Sequence, residues 1–215
     1  MAGKEIELLK PITVKGMKFA ILKNVAMKNL VDLSRNAFEN SIIKLEEAGA
    51  SVSEITVASV DEAMDLTGLL YSPEAYSTWK HKIEKSPDLM FNKILERFRS
   101  GANILASDFI SAWDKLKDLR HQYHLAIQQY DAVLIPTSPI MPPKISRLMS
   151  DGDFYNSQNL LALRNTRIGN LMGGCSITLP TDIPSCGILI MERPNQEERL
   201  LRLAQACEFV LARKP

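Results

Sequence analysis

Two short apolar runs close together constrain this chain most. Between Arg164 and Arg193, in RNTRIGNLMGGCSITLPTDIPSCGILIMER, a short helix ends at Gly173-Gly174. It is followed by CSITLP and CGILIM, each of strand length, joined by a polar Thr-Asp-Ile-Pro turn. Strands this apolar on both sides of their pleat require cover on both faces, so the hairpin belongs inside a sheet sandwiched by helices. The fold class that follows is α/β, with a mixed sheet flanked by helices.

The remaining elements fit that class. After a polar lead-in over residues 1–16, Met17–Leu22 reads as a strand and Lys28–Ala48 as a helix. Val31, Phe38, Ile42 and Leu45 form the helix's buried stripe, and Gly49 stops it. Ser51–Ala58 reads as a second strand. Strand, helix, glycine and strand make a βαβ unit, so these two strands are expected to be parallel. From Val60 to about Ile104 the pattern is helical but broken, with Pro73 and Pro87 each expected to open a new helix at its first position. Lys80–Lys85 and Arg97–Arg99 read as solvated charge clusters. A long helix is expected from Ser107 to about Gln129, with Phe109, Trp113, Leu116, Leu119, Tyr123 and Ile127 along one side. Tyr130–Pro136 reads as a third strand. The run PTSPIMPP after it holds four prolines in eight residues and is a stiff loop. Lys144–Phe154 is expected as a mobile loop, Tyr155–Met172 as one helix, and Asn195 to about Arg213 as the last helix, with Asn195 as its cap.

At 215 residues the chain is long enough for a substantial core, and its 46% apolar and 24% charged residues are those of an ordinary globular protein. A net charge of +1 argues against nucleic acid or a membrane surface as partner. No apolar run approaches ~20 residues, and the N-terminus lacks a signal-peptide core. Three cysteines outside any CxxC spacing suit a reducing compartment, so a cytoplasmic protein is expected.

Candidate chemistry is sparse. His121 and His124 are spaced i,i+3, but two ligands make no metal site, and His81 stands alone. Cys175 and Cys186 fall in expected interior strands, where a free cysteine acts as a small hydrophobe; an enzyme using Cys186 as nucleophile is the minor alternative. Gly173-Gly174-Cys175-Ser176 runs from helix into strand, the reverse of a phosphate-binding loop. Its glycines therefore read as a helix C-cap and a close backbone crossing. No GxSxG motif appears.

The order of elements resembles the C-terminal portion of the amidase signature family of serine amide hydrolases. Three passages carry the resemblance. They are LKPITVKGMKFAIL with KLEEAGASVSEITV, then DFISAWDKLKDLRHQYHLAIQQYDAVLIPTSPIMPP, and NTRIGNLMGGCSITLPTDIPSCGILIMERPNQEERLLRLAQACE. The resemblance implies hydrolysis of a carbon–nitrogen amide bond by a Ser–cis-Ser–Lys triad. That triad lies in the family's other half, in passages with no counterpart here, so no catalytic residue carries over and no cofactor or metal is implied. What carries over lines the substrate side of the cleft: Thr137 and Ser138 in the PT-x-P loop, and Thr166 and Asn170 on the following helix, which in relatives packs against the catalytic core. In the family's glutamine-hydrolysing amidotransferases, an Asp three residues before that Thr contacts the substrate amine; here the position is Leu163.

The expectation is a single domain over 1–215, the C-terminal part of an amidase, inactive alone and providing one wall of a cleft for a small-molecule amide together with the missing N-terminal half. The alternatives are a non-catalytic subunit or scaffold pairing with a separate N-terminal chain, and an A-subunit-like part of an aminoacyl-tRNA amidotransferase. The edges of an incomplete sheet also invite self-association.

Overall fold

The computed structural model describes residues 9–212. In chain order its elements are β1 (Lys18–Leu22), α1 (Asp32–Glu47), β2 (Ser51–Ile55), α2 (Ala58–Asp65), α3 (Thr67–Lys85), α4 (Asn92–Ser100), α5 (Ala106–Ala126) and β3 (Ala132–Pro136). They continue with α6 (Ile145–Ser150), α7 (Gly152–Ala162), α8 (Arg164–Met172), β4 (Cys175–Pro180), β5 (Gly187–Glu192) and α9 (Glu197–Leu211). The chain forms two compact units, one made of residues up to Val57 and from His124 onward, the other of Ala58–Tyr123. No helix among the described residues is long and apolar enough to cross a membrane.

The first unit holds a sheet in the order β2-β1-β3-β5-β4. β1 runs parallel to β2, with Lys18 opposite Ser51 and Leu22 opposite Ile55, and parallel to β3, with Phe19 opposite Ala132. β5 is antiparallel to β3 and to β4. The sheet is therefore mixed, and β1–α1–β2 is the parallel unit expected from the sequence.

Alternation along the strands sorts their side chains onto two faces. Phe19, Ile21, Leu134, Ile188 and Ile190 pack on one face with Phe38, Ile42 and Leu45 of α1 and Leu200, Leu203 and Cys207 of α9. On the other face lie the buried Ala20, Leu22, Val133, Ile135, Leu189 and Met191. There α8 packs against β4 and against the 3₁₀ turn Val25–Met27, burying Ile168, Leu171 and Met172. Cover on both faces holds for β5. It fails for β4, an edge strand in which Ser176, Thr178 and Pro180 are exposed; an edge also tolerates Pro180, which has no N–H to give.

Several boundaries differ from those expected. α1 starts at Asp32, because the 3₁₀ turn and the left-handed Asn29 (φ 51°) precede it. Val31 therefore lies outside the helix and is 37% exposed, while Phe38, Ile42 and Leu45 keep the buried stripe. Lys144–Phe154 contains α6 and the start of α7, with Asp151 capping α7 by accepting the Phe154 N–H at 2.9 Å. The helix expected over Tyr155–Met172 is broken at Leu163. α9 begins at Glu197 with no side-chain cap, since Asn195 adopts φ 62°; its expected end at Arg213 falls outside the described residues.

In the second unit Pro73 does not open a helix but sits inside α3. Gly101 lies against the backbone there, where a Cβ would stand 2.1 Å from the Ser72 carbonyl oxygen. Packing at this point overrides the proline's tendency to break the helix. Pro87 does open a helical turn, of 3₁₀ type, over Pro87–Leu89. A bidentate pair from Arg99 to Glu84, at 2.9 and 2.6 Å, joins α4 to α3. On α5, Leu116, Leu119 and Tyr123 are buried, as is Ile127 just beyond it. Phe109 and Trp113 stay partly exposed and meet edge to face at 6.4 Å.

Candidate functional site

The carboxyl end of β3 organises the polar residues singled out by the sequence. β3 is buried throughout and ends at Pro136, after which the chain turns through Thr137 and Ser138. The Thr137 N–H donates to the Gly187 carbonyl at 2.9 Å, and its hydroxyl meets that of Thr178 at 3.3 Å. Gly187 permits this approach: a Cβ there would lie 2.7 Å from Thr178 Cγ2 and 2.9 Å from Thr137 Oγ1. The Ser138 hydroxyl donates to the Ile140 carbonyl at 3.2 Å, which closes a tight turn. Two more bonds pin this loop to the start of α1. Ser34 Oγ donates to the Ser138 carbonyl at 2.6 Å, and the Val31 N–H donates to the Pro139 carbonyl at 3.0 Å.

The α8 helix supplies the other two residues. Thr166 is half-buried and donates to the Leu163 carbonyl at 3.3 Å, while Asn170 is exposed. Four residues apart, they lie on one side of α8. The helix is tied to β3 by Asn165, fully buried, whose amide donates to the carbonyls of Pro136 at 2.7 Å and Ala26 at 3.0 Å. Thr137 and Thr166 each follow one partner of that bond in sequence, so both stand at the same end of β3. In sheets with parallel strands, ligand sites gather at such carboxyl ends.

Sequence reasoning passed over Arg164 and Asn165, both buried. The signal was present: at three- and four-residue steps they share a helix stripe with Ile168, Leu171 and Met172. Arg164 donates through Nη2 to the Lys28 carbonyl at 2.6 Å and the Ala26 carbonyl at 3.4 Å, and through Nε to Asn165 Oδ1 at 3.1 Å. Together Arg164 and Asn165 fix the 25–28 turn, the end of β3 and the start of α8 in one arrangement.

The Gly-Gly passage does what its order in the sequence implies. Gly173 is the left-handed C-cap of α8 at φ 68°, and Gly174 crosses the end of β5, where a Cβ would stand 2.4 Å from the Glu192 carbonyl oxygen. At the opposite end of β3, Asp131 accepts the Lys18 N–H at 2.8 Å and pairs with Arg199 at 2.6 Å; Arg199 also pairs with the buried Glu192. This second cluster locks α9 onto the strands.

Thiol chemistry finds little support. Burial pushes the Cys175 and Cys186 thiols up, and the Cys207 thiol up to about 12. Cys186 lies 3.6 Å from the Met141 sulfur. A thiol kept protonated is a poor nucleophile. His121 is exposed and His124 half-buried, and no group of three or more His, Cys, Asp or Glu side chains among the described residues could hold a metal ion. Thr137, Ser138, Thr166 and Asn170 offer hydroxyl and amide groups, which bind and orient a polar ligand and do not titrate near neutral pH.

Comparison with known proteins places this geometry. The chain is 25% identical over 211 residues to 2-amino-5-chloromuconic acid deaminase of Comamonas testosteroni, a match covering 94% of this chain and 45% of the relative. It is 26% identical to the A component of a glutamyl-tRNA(Gln) amidotransferase from Clostridium acetobutylicum, covering 91% of this chain and 46% of that one. The chain thus spans about half the length of the curated relatives it matches. Allophanate hydrolase of Kluyveromyces lactis shares the fold at a TM-score of 0.78 and 17% identity, over 94% of this chain and 33% of that structure. The family model described as Amidase matches residues 3–201, nearly the whole chain. By that match, this chain belongs to the amidase family.

Proposed function

We propose that the chain is the C-terminal part of an amidase that hydrolyses a carbon–nitrogen amide bond, and that it forms the scaffold and one wall of the substrate cleft. The observation that carries this reading is a family match over residues 3–201 in a chain spanning 45% of its first relative. In this reading the Ser–cis-Ser–Lys triad comes from the other half. Within the 215 residues the one passage that imitates a Gly/Ser-rich core is Gly173–Ser176, and that is the crossing from α8 to β4. Thr137, Ser138, Thr166 and Asn170 bind the substrate amide from the wall, and the part works in the cytoplasm without cofactor or metal. A fluorophosphonate serine probe tests the assignment. The 215-residue chain alone is expected to stay unlabelled, and covalent labelling would sink it.

A second reading is a non-catalytic subunit that pairs with a separate N-terminal chain. It is favoured by β2 and β4, each of which has a strand neighbour on one side only among the described residues. Light scattering after size exclusion separates the two, because a well-behaved monomer counts against a pairing subunit or a self-associating edge. A role as part of a tRNA amidotransferase is disfavoured by Leu163. This 48%-exposed apolar side chain stands where those enzymes have an amine-binding Asp.

A further inference from the structure

The net charge of +1 sums over the whole chain and hides an uneven distribution inside the Ala58–Tyr123 unit. From Trp79 to Arg99, six Lys and Arg stand against three acids. The rest of that unit carries three Lys and Arg against seven Asp and Glu, so its positive charge is concentrated where α3 meets α4. Lys82 and Lys85 lie exposed in the last turn of α3, and Lys93 stands in the first turn of α4. Two of the three acids are already engaged: Glu84 takes both bonds from Arg99, and Glu96 accepts from the Asn92 amide at 2.7 Å.

Apolar side chains crowd the same junction. The 3₁₀ turn and the two residues after it read Pro-Asp-Leu-Met-Phe. Leu89 is 87% exposed and Phe91 43%, and Met90 between them is half-buried. Trp79 is 46% exposed and holds the Lys82 ammonium 5.0 Å from the centre of its ring. Near the junction the two helices bury Ile83 and Leu95 instead. A single exposed apolar residue is ordinary, but a cluster of them rimmed by lysines calls for a partner that is both apolar and anionic. Lysine is depleted where two proteins bury an apolar core against each other, which disfavours a protein partner here.

We propose that the α3–α4 junction is a peripheral docking surface for anionic lipid. Leu89 and Phe91 enter the acyl boundary, and Trp79 sits at the depth of the headgroups, where an amphipathic ring is stable. Lys82, Lys85 and Lys93 keep their stems along the apolar side chains and their ammonium groups on the acidic headgroups. Asp88, exposed in the turn, is the acid that these lysines outweigh. The chain lies on the bilayer and does not span it through a described helix, since none is long and apolar enough to cross. This surface does not rest on the amidase reading.

The test is cosedimentation of the 215-residue chain with vesicles of equal parts phosphatidylcholine and phosphatidylserine, against vesicles of phosphatidylcholine alone. Binding is expected with the anionic vesicles only, and it weakens as salt is raised. Leu89→Ser with Phe91→Ser is expected to lower the affinity by about tenfold or more, and Lys82→Gln with Lys85→Gln by roughly tenfold. All four side chains are exposed, so both variants are expected to keep the melting temperature of the parent. In a Trp113→Phe background Trp79 is the one tryptophan left, and its emission is expected to move to shorter wavelength on the anionic vesicles. Equal affinity for the two kinds of vesicle, or no loss in the Leu89 and Phe91 variant, overturns the surface. So does a dimer that vesicles leave unbound and that this variant splits, which assigns the patch to a second copy. Serine-probe labelling would sink the amidase reading without changing vesicle binding, so the two fail separately.

Discussion

Asn165 shows how much one buried amide can hold. Its two N–H groups serve the carbonyls of Ala26 and Pro136, both in buried residues. Asn165→Ala takes the side-chain donor from the Pro136 carbonyl and leaves the Ala26 carbonyl only the longer bond from Arg164, and a loss of roughly 1–3 kcal/mol is expected, because a buried acceptor left unmet costs its desolvation. Urea unfolding measures it; a loss within about 0.5 kcal/mol, typical of surface sites, would show that the bonds are dispensable. Cys207 makes a pH prediction. Its thiol, fully buried, rises from 9.0 to about 12 in the folded chain. A raised pKa favours the fold while the unfolded thiol is also protonated, and that benefit is lost as pH climbs from about 9 toward 12. At pH 10 the native chain is therefore expected to have lost about 1 kcal/mol more than Cys207→Ala, each relative to pH 8. Parallel pH profiles for the two proteins would refute this.

At the scale of elements, the α8–β4 crossing separates two roles of glycine. Gly173 holds a left-handed conformation, so Gly173→Ala is expected to cost ~1 kcal/mol. Gly174 has the Glu192 backbone in the way, so Gly174→Ala must displace a strand and costs more, by roughly another 1–3 kcal/mol. Equal urea midpoints for the two variants would contradict this. Both glycine roles were legible in the sequence because their order, helix then strand, fixes what they join. The βαβ unit and the three inner strands were legible for a similar reason: their periodicity reports burial directly. Pro73 was not, since the chain that accommodates it comes almost thirty residues later at Gly101. Lys144–Phe154 has the composition of a loop, yet the Asp151 cap starts a helix there. Leu163 breaks a helix with no Gly or Pro to mark the place. Of the candidate site, the wall residues came from the family resemblance, whereas Arg164 and Asn165 went unnoticed because their polarity hid their place on a buried stripe.

For the whole molecule, the strand order has a consequence for how the chain assembles. β1 with α1 and β2 is a local group, and β5 with β4 and α9 is another. They meet at the β1–β3 seam, where Ala20 faces Val133 across more than a hundred residues of chain, including the whole Ala58–Tyr123 unit. Closing so long a loop is entropically unfavourable before any contact offsets it, so the seam is the expected rate-limiting step of folding. Val133, buried completely at that seam, is then part of the folding nucleus. Val133→Ala should slow refolding in stopped-flow measurements and leave unfolding nearly unchanged, whereas Leu179→Ala on the edge strand should mainly hasten unfolding. The reverse pattern would place the barrier in the C-terminal hairpin. The inserted helices thus act as a kinetic spacer, which sets how long the two local halves persist before they become one sheet.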